Sequence, residues 1–297
     1  MTVPAKWVTA CIPTFRCTTY LRHAVTSLLN QTYPFLRVIV INDGDPEAPW
    51  PAIADIQDPR LIRFNLFENR GPYFSLDVAL RATSDPFFLV QDADDWSAPL
   101  RVEKLLRLLR RDNSHYAFSA LAQFHEGVDG KIVLDSPLAS KQPDTAPGME
   151  FKNRIFHHGL FRTDAVKKLG GYFGGFKFGY DMLLTNLLLM VGSVSWTAER
   201  LYWRRLRPTS LTRAPETGMT STSRELLVAE MNSVYRQAYQ DYQYFVARRL
   251  SGPHLLDRIR WRVLVQRGGT DDRRIKMHAA QLRSGMGAQA RLFGIQS

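Results

Sequence analysis

Hydrophobic positions along the first third of the chain switch repeatedly between two periods. Residues 8–12 form a short apolar run closed by Pro13. Residues 20–30 then set Leu21, Ala24, Val25, Leu28 and Leu29 on one helical face. Further apolar runs follow at 36–41, 61–65 and 87–90, with helical patterns at 73–82 and 99–111 between and after them. Short continuous apolar runs alternating with amphipathic stretches predict buried parallel strands in a doubly wound α/β sheet.

The middle of the chain is less regular. Residues 115–124 and 131–134 read as strands around a turn at 127–130, and 136–148 as a polar loop containing prolines. A short helix at 163–169 stops at Gly170-Gly171, and a Gly/Phe-rich loop at 174–179 leads into a helix over 181–191. Beyond Ser221 the pattern is helical and rich in arginine, and no internal repeat is visible. The expected organisation is an α/β region over 1–215, with halves at about 1–112 and 113–215, and a helical region over 216–297.

Composition narrows this picture only a little. The 297 residues are 45% hydrophobic, enough for a substantial core. Two cysteines, Cys11 and Cys17, exclude a disulfide scaffold, and no Cys/His spacing suits zinc. The net charge of +11 fits a solvated arginine surface or an anionic partner. The N-terminus lacks the apolar core of a signal peptide, and no apolar stretch is long enough to span a bilayer. A cytoplasmic protein is therefore expected.

The chemistry concentrates where the fourth run ends. Asp92, Asp94 and Asp95 place three carboxylates within four residues at the carboxyl end of a strand. Ligands of open α/β sheets bind along that rim. Clustered carboxylates are costly to bury unless a cation or donors neutralise them. Asp92 and Asp94 are alternate residues, so they can face one ion, and hard oxygen ligands suit Mg²⁺ or Mn²⁺ carrying a diphosphate. A solvated turn with Asp95 as a helix cap is the plainer alternative. Parallel pairing would bring Pro13-Thr14-Phe15-Arg16 and Asn42-Asp43-Gly44 to the same rim.

Several motifs in order resemble family 2 glycosyltransferases of GT-A fold. They are Ile12-Pro13-Thr14-Phe15-Arg16, Val38-Ile39-Val40-Ile41-Asn42-Asp43-Gly44-Asp45, Asn69-Arg70-Gly71, Leu89-Val90-Gln91-Asp92-Ala93-Asp94-Asp95, and Gly170-Gly171-Tyr172 followed by Tyr180-Asp181. The resemblance covers about residues 7–212. It implies a GT-A catalytic domain over 1–215, a Rossmann-like, mostly parallel sheet flanked by helices, with 216–297 as a helical extension. It also implies an inverting, metal-dependent enzyme that uses a UDP- or dTDP-sugar.

Residue by residue, the resemblance implies that Pro13, Thr14, Phe15, Arg70 and Ala93 line the nucleotide-sugar pocket. Asp43 would accept the imide N–H of the base, and Asp92 would meet the ribose or the metal. Asp94 would ligate Mn²⁺ or Mg²⁺. Asp181 would be the base that takes the acceptor proton; read alone, it is a helix N-terminal acid favoured by the dipole. His158, Tyr180, Trp203 and Arg207 are expected contacts of the acceptor or the diphosphate.

Two departures from the family pattern stand out. The arginine that often follows the Asn-X-Gly turn is missing from Ser75-Leu76-Asp77, which leaves Arg70, Arg81 or a C-terminal arginine to substitute. The late histidine that can complete the metal site is replaced by arginines in Tyr202-Trp203-Arg204-Arg205-Leu206-Arg207. An arginine there would hold the diphosphate as a fixed charge. His157 and His158, read as strand neighbours, should point to opposite faces and not share a ligand.

The expected partners are a nucleotide-diphospho-sugar and an acceptor hydroxyl or amine, on a secondary metabolite or a glycan intermediate. No nucleic acid is expected. Residues 255–264 mix basic and apolar side chains, which suits packing on the catalytic domain, a homodimer contact, or peripheral contact at the inner membrane face. A metal-dependent nucleotidyltransferase and a non-catalytic nucleotide-sugar or polyanion binder are the alternatives. The glycine-free loop after the first strand counts against the nucleotidyltransferase.

Overall fold

Four apolar runs become adjacent parallel strands because helices cover both of their faces. The computed structural model describes residues 6–127, 131–135, 142–152, 155–248 and 252–293. Strands β1 (Val8–Thr14), β2 (Leu36–Asn42), β3 (Leu61–Asn65) and β4 (Phe87–Val90) pair in parallel in the order β3-β2-β1-β4. Every residue of β1 and β4 is buried. Val8, Ala10, Ile12, Val38, Val40 and Leu89 face one core with α1 (Thr18–Leu29) and α3 (Arg101–Arg111). Cys11, Ile39, Ile41, Phe88 and Val90 face the other, under α2 (Pro72–Ala82). Leu105 and Leu109 of α3 are completely buried, each worth about 1.5–3 kcal/mol.

β1 runs through Pro13 rather than stopping at it. Cys11 directs its carbonyl at Gln91 N–H, 3.1 Å away, so Pro13 two residues on faces the same side. The β1–β4 pairing has ended there at Cys11 and Val90, so the missing N–H breaks no ladder bond.

The second half extends the sheet past β4. β8 (Gly159–Arg162) pairs antiparallel with β4, and β6 (Tyr116–Glu126) antiparallel with β8. β9 (Val194–Arg205) then runs parallel to β6. The short β5 (Trp96–Ser97) pairs antiparallel with β9, and β7 (Ile132–Leu134) with β6. The long parallel pairings make the sheet mostly parallel, as expected. β9 escapes the sequence pattern because its register slips opposite Ser119–Leu121 and Ala198, Glu199 and Arg200 there are exposed. The expected turn at 127–130 and loop at 136–148 fall partly outside the described residues.

The remaining helices are α4 (Thr163–Lys168), α5 (Tyr180–Val191), α6 (Thr222–Ala247), α7 (Gly252–Arg267) and α8 (Gly269–Phe293). Ser221 caps α6 by accepting Arg224 N–H. α7 buries Leu255, Ile259 and Val263, one stripe at helical spacing, against the larger core. α8 lies along α2: Arg283 Nε reaches Ala82 O at 3.0 Å, and Gln289 Nε2 reaches Leu61 O at 2.8 Å. No helix among the described residues is long and apolar enough to cross a membrane.

Candidate active site

The carboxyl ends of β1, β2 and β4 meet at one rim, and the acid turn closes it. Asp95 N–H returns to Asp92 O at 3.3 Å, and Tyr202 of β9 takes the Asp92 N–H at 3.1 Å. One oxygen from each of Asp92, Asp94 and Asp95 lies within 4.8 Å of the others. Three mechanisms answer this charge. Asp95, 2% exposed, accepts Arg205 N–H at 2.7 Å. Arg101, completely buried beneath the turn, donates to Gln91 Oε1, Ser97 Oγ and Val90 O and lies over the Tyr202 ring. Arg207 Nε holds Asp94 Oδ2 at 2.6 Å.

The electrostatics follow from burial. Desolvation pushes the Asp95 carboxyl well above the ordinary range, reinforced by Asp94 and Asp92. Desolvation also raises Asp94, against the pull of Arg207. Burial lowers the Arg101 guanidinium to about 10, so it stays charged at neutral pH. Arg207, from the segment in which arginines are expected in place of a late histidine, pairs with the carboxylate expected to ligate metal. An all-oxygen set on Asp92 and Asp94 fits a hard divalent cation, with Asp95 already committed to β9.

Asp43 is tied to the turn that follows β3. Both oxygens accept bonds from Asn69 Nδ2, Arg70 N–H, Gly71 N–H and Ser75 Oγ, at 3.2, 3.1, 2.8 and 3.3 Å. Four donors fill the acceptor sites of a carboxylate, and the residue is 2% exposed. The side chain therefore holds the Asn69–Gly71 turn against β2. Burial raises it to about 6, opposed by those same donors. Glycine is required at both ends of this contact. Gly44 (φ 72°) and Gly71 (φ 88°) adopt left-handed backbone, and a Cβ on Gly44 would lie 2.2 Å from Glu68 C.

Arg70 has partners both near and far along the chain. Its guanidinium pairs with Asp271 of α8 and with Glu68 and lies over Phe74, so its charge is committed to the C-terminal helix. Arg81 is tied to Asp77 and to Gly170 O. Pro13 and Ala93 are buried at the rim, and Phe15 is 37% exposed beside it. The buried Thr14 Oγ1 has no partner among the described residues, which leaves a hydroxyl for a ligand at the end of β1.

His157 and His158 overturn the expectation of opposite faces. They precede β8 and lie outside its regular pleat, so the alternation rule does not apply to them. Their rings are 4.1 Å apart. His158 Nε2 is 2.9 Å from Asp92 Oδ2, and its ring stacks on Tyr202. His157 Nδ1 is 2.9 Å from Tyr172 Oη, and its Nε2 is 3.9 Å from Asp181 Oδ2. Asp92, His157 and His158 are close enough to share an ion. Burial drives both rings down, His157 to about 4, so both are neutral at pH 7.

Asp181 opens α5 in the favourable half of the helix dipole. Tyr73 Oη donates to its Oδ1 at 2.5 Å, and Tyr73 also accepts Gly179 N–H at 3.2 Å. Burial acts to raise the carboxyl, but His157, Tyr73, His158 and the Met182 N–H together hold it below the usual range. Of these, the Tyr73 hydroxyl is the side chain that hydrogen-bonds directly to the carboxylate.

Tyr180 and Trp203 have aromatic partners within the fold. Tyr180 is completely buried, with Oη on Gly171 O and its ring beside Phe176 and Tyr73, because residue 180 turns into the core as 181 turns out. Trp203 stacks on Trp96, which packs in turn on Phe124 and His23, so its ring fastens β5 to β9. The sequence assigns no role of their own to Tyr73, Tyr172 and Tyr202. Each looks like an ordinary core aromatic, and only pairing across the fold reveals its hydroxyl partner.

Comparisons with known proteins bear on the family and the fold. The putative glycosyltransferase EpsH of Bacillus subtilis is 30% identical over 146 residues, 48% of this chain and 41% of its own length. The O-antigen biosynthesis glycosyltransferase WbnJ of Escherichia coli is 27% identical over 172 residues, 57% of this chain and 66% of its own. The chain spans about half the length of the first curated relatives it matches. Staphylococcus aureus TarS 1-349, solved in complex with UDP-GlcNAc, superposes with a TM-score of 0.57 at 19% identity, covering 69% of this chain and 60% of that one, and so shares the fold. The profile described as "Glycosyl transferase family 2" matches residues 9–170, more than half of the sequence and the segment that carries the acid turn and both histidines. The chain therefore belongs to glycosyl transferase family 2.

Proposed function

We propose that the protein transfers a sugar, with inversion, from a UDP- or dTDP-sugar to an acceptor hydroxyl or amine. The observation that carries this reading is the line Asp92–His158–His157–Asp181. It connects a strand-end acid to a helix-start carboxylate through contacts of 2.9, 4.1 and 3.9 Å.

In this reading the diphosphate lies before Asp92 and Asp94, and Arg207 supplies a fixed positive charge to it. Arg207 takes the place of the phosphate arginine missing from α2, a role that Arg70 and Arg81 do not fill. Asp92 and Asp94 would hold Mn²⁺ or Mg²⁺, whose contribution when bound is to neutralise charge on the departing diphosphate. Thr14 Oγ1 and Phe15 contact the nucleoside. Asp43 acts by fixing the Asn69–Gly71 turn beside it. Asp181, kept ionised by Tyr73, accepts the proton of the acceptor as its oxygen or nitrogen attacks the anomeric carbon. A single carboxylate suffices because displacement is direct. His157, neutral and oriented by Tyr172, borders the acceptor side.

The WbnJ likeness favours a glycan intermediate as acceptor over a small secondary metabolite. The test is Asp181→Asn in the full chain. Binding of the nucleotide-sugar should be retained within about twofold, while transfer falls by about 10²–10⁴-fold, the usual worth of a general base. Loss of binding and transfer together would reduce Asp181 to a structural role.

A further inference from the structure

On the side of α2 that α8 covers, four cations converge around a cavity of about 310 Å³. Arg81 comes from α2, Lys167 from α4, and Lys276 and Arg283 from α8, with Ala279 and Ala280 also lining it. The two alanines leave the α8 wall free of bulk, so the cavity stays open between the charged groups.

Most contacts of these cations are to backbone carbonyls. Lys167 Nζ donates to Thr83 O at 2.7 Å, and Arg81 Nη2 to Gly170 O at 2.8 Å. Arg283 donates to Ala82 O and Arg81 O. Carbonyls at the end of a helix attract cations but do not neutralise them. Among the described residues, two carboxylates pair with the four cations: buried Asp77 with Arg81, and Asp272 with Lys276. Asp85 also acts on Lys167, but Arg37 balances it. The cavity therefore holds more positive than negative charge. Burial lowers the Lys167 ammonium, and the Arg283 and Arg81 charges lower it further, which is the sign of like charges held together.

We infer that this cavity is a phosphate-binding site, separate from the donor rim, for a phosphomonoester or diphosphate group. Two guanidiniums and two ammoniums supply the planar and point-charge donors that such an anion takes. The anion would join α8 to α2 and α4, and α2 carries Ser75 and Tyr73, which hold Asp43 and Asp181. The inference stands whether or not the chain proves to be a transferase.

The test is calorimetric titration of the full chain with pyrophosphate at constant ionic strength. Arg283→Gln, Lys276→Gln and Arg207→Gln are titrated in parallel, with circular dichroism confirming that each is folded. The site predicts saturable binding that weakens about tenfold in Arg283→Gln and in the exposed-rim variant Lys276→Gln, as expected for losing one charge-assisted contact. Binding in Arg207→Gln should persist at this site. Flotation with vesicles of phosphatidylcholine, with and without phosphatidic acid, separates the two sources of the anion. Binding to phosphatidic acid vesicles that Lys276→Gln abolishes assigns a lipid headgroup, and pyrophosphate binding without flotation assigns a soluble phosphate. Pyrophosphate and vesicle binding unchanged in both cavity variants, or no saturable binding at all, overturns the inference.

Discussion

Replacing Tyr73 by Phe removes one oxygen and leaves the ring packing in place. That oxygen lies 2.5 Å from Asp181 Oδ1, and the residue is 7% exposed, so water has little room to replace it. Burial holds the phenol pKa well above its usual value, so the hydroxyl is a donor at every working pH. A hydrogen bond to a charged group is worth about 1.5–3 kcal/mol. Losing it should lower the acid dissociation constant of Asp181 by about ten- to 150-fold. The assay is a ¹³C NMR titration of aspartate carboxyls in the full chain, with the Asp181 signal assigned by its absence in Asp181→Asn. It needs neither donor nor acceptor. A change smaller than twofold would refute the assignment of Tyr73 as a group that keeps Asp181 ionised, and with it the positioning role of α2.

Three further outcomes follow from the geometry. Asp43→Asn leaves an amide oxygen and a competing NH₂ facing four donors, so hydrogen exchange at Arg70 and Gly71 should speed by about tenfold or more; unchanged protection would show that the turn holds itself. Arg101→Met strips the buried cation from beneath three carboxylates and should cost about 3–5 kcal/mol in urea unfolding, with a loss under about 1 kcal/mol contradicting the neutralising role. His157 has a folded pKa of about 4, below its unfolded value, so the folded state binds fewer protons and stability falls as pH drops from about 6.5 to 4. Relative to His157→Gln, wild type should lose up to about 1.4 kcal/mol per pH unit across that window and show no difference in slope above it.

The strand–helix order was legible because each early element carries its own period. β1 to β4 are continuous apolar runs, and α1 and α3 place their leucines on one face. The acid turn was legible for the same reason, since it ends a strand whose direction the pattern fixes. β9 was hidden by a bulge that breaks the period of two. The intramolecular partners of Asp43 and Arg70 were not legible because they lie far along the chain. Gly71 reaches Asp43 across 28 residues, and Asp271 reaches Arg70 across 201. The histidine pair was misread because a strand rule was applied to residues just outside a strand. Arg207 was found through a departure from a family pattern, but only the fold shows that it sits on Asp94.

The central claim is that the rim of Asp92, Asp94 and Arg207 receives a nucleoside diphosphate. Thermal unfolding with UDP and with dTDP, each with and without Mn²⁺, tests it in wild type and Asp94→Asn. The account predicts a rise in Tm of wild type with at least one diphosphate and Mn²⁺, reduced or absent in Asp94→Asn. No shift in wild type with either nucleotide, or an equal shift in Asp94→Asn, would contradict it.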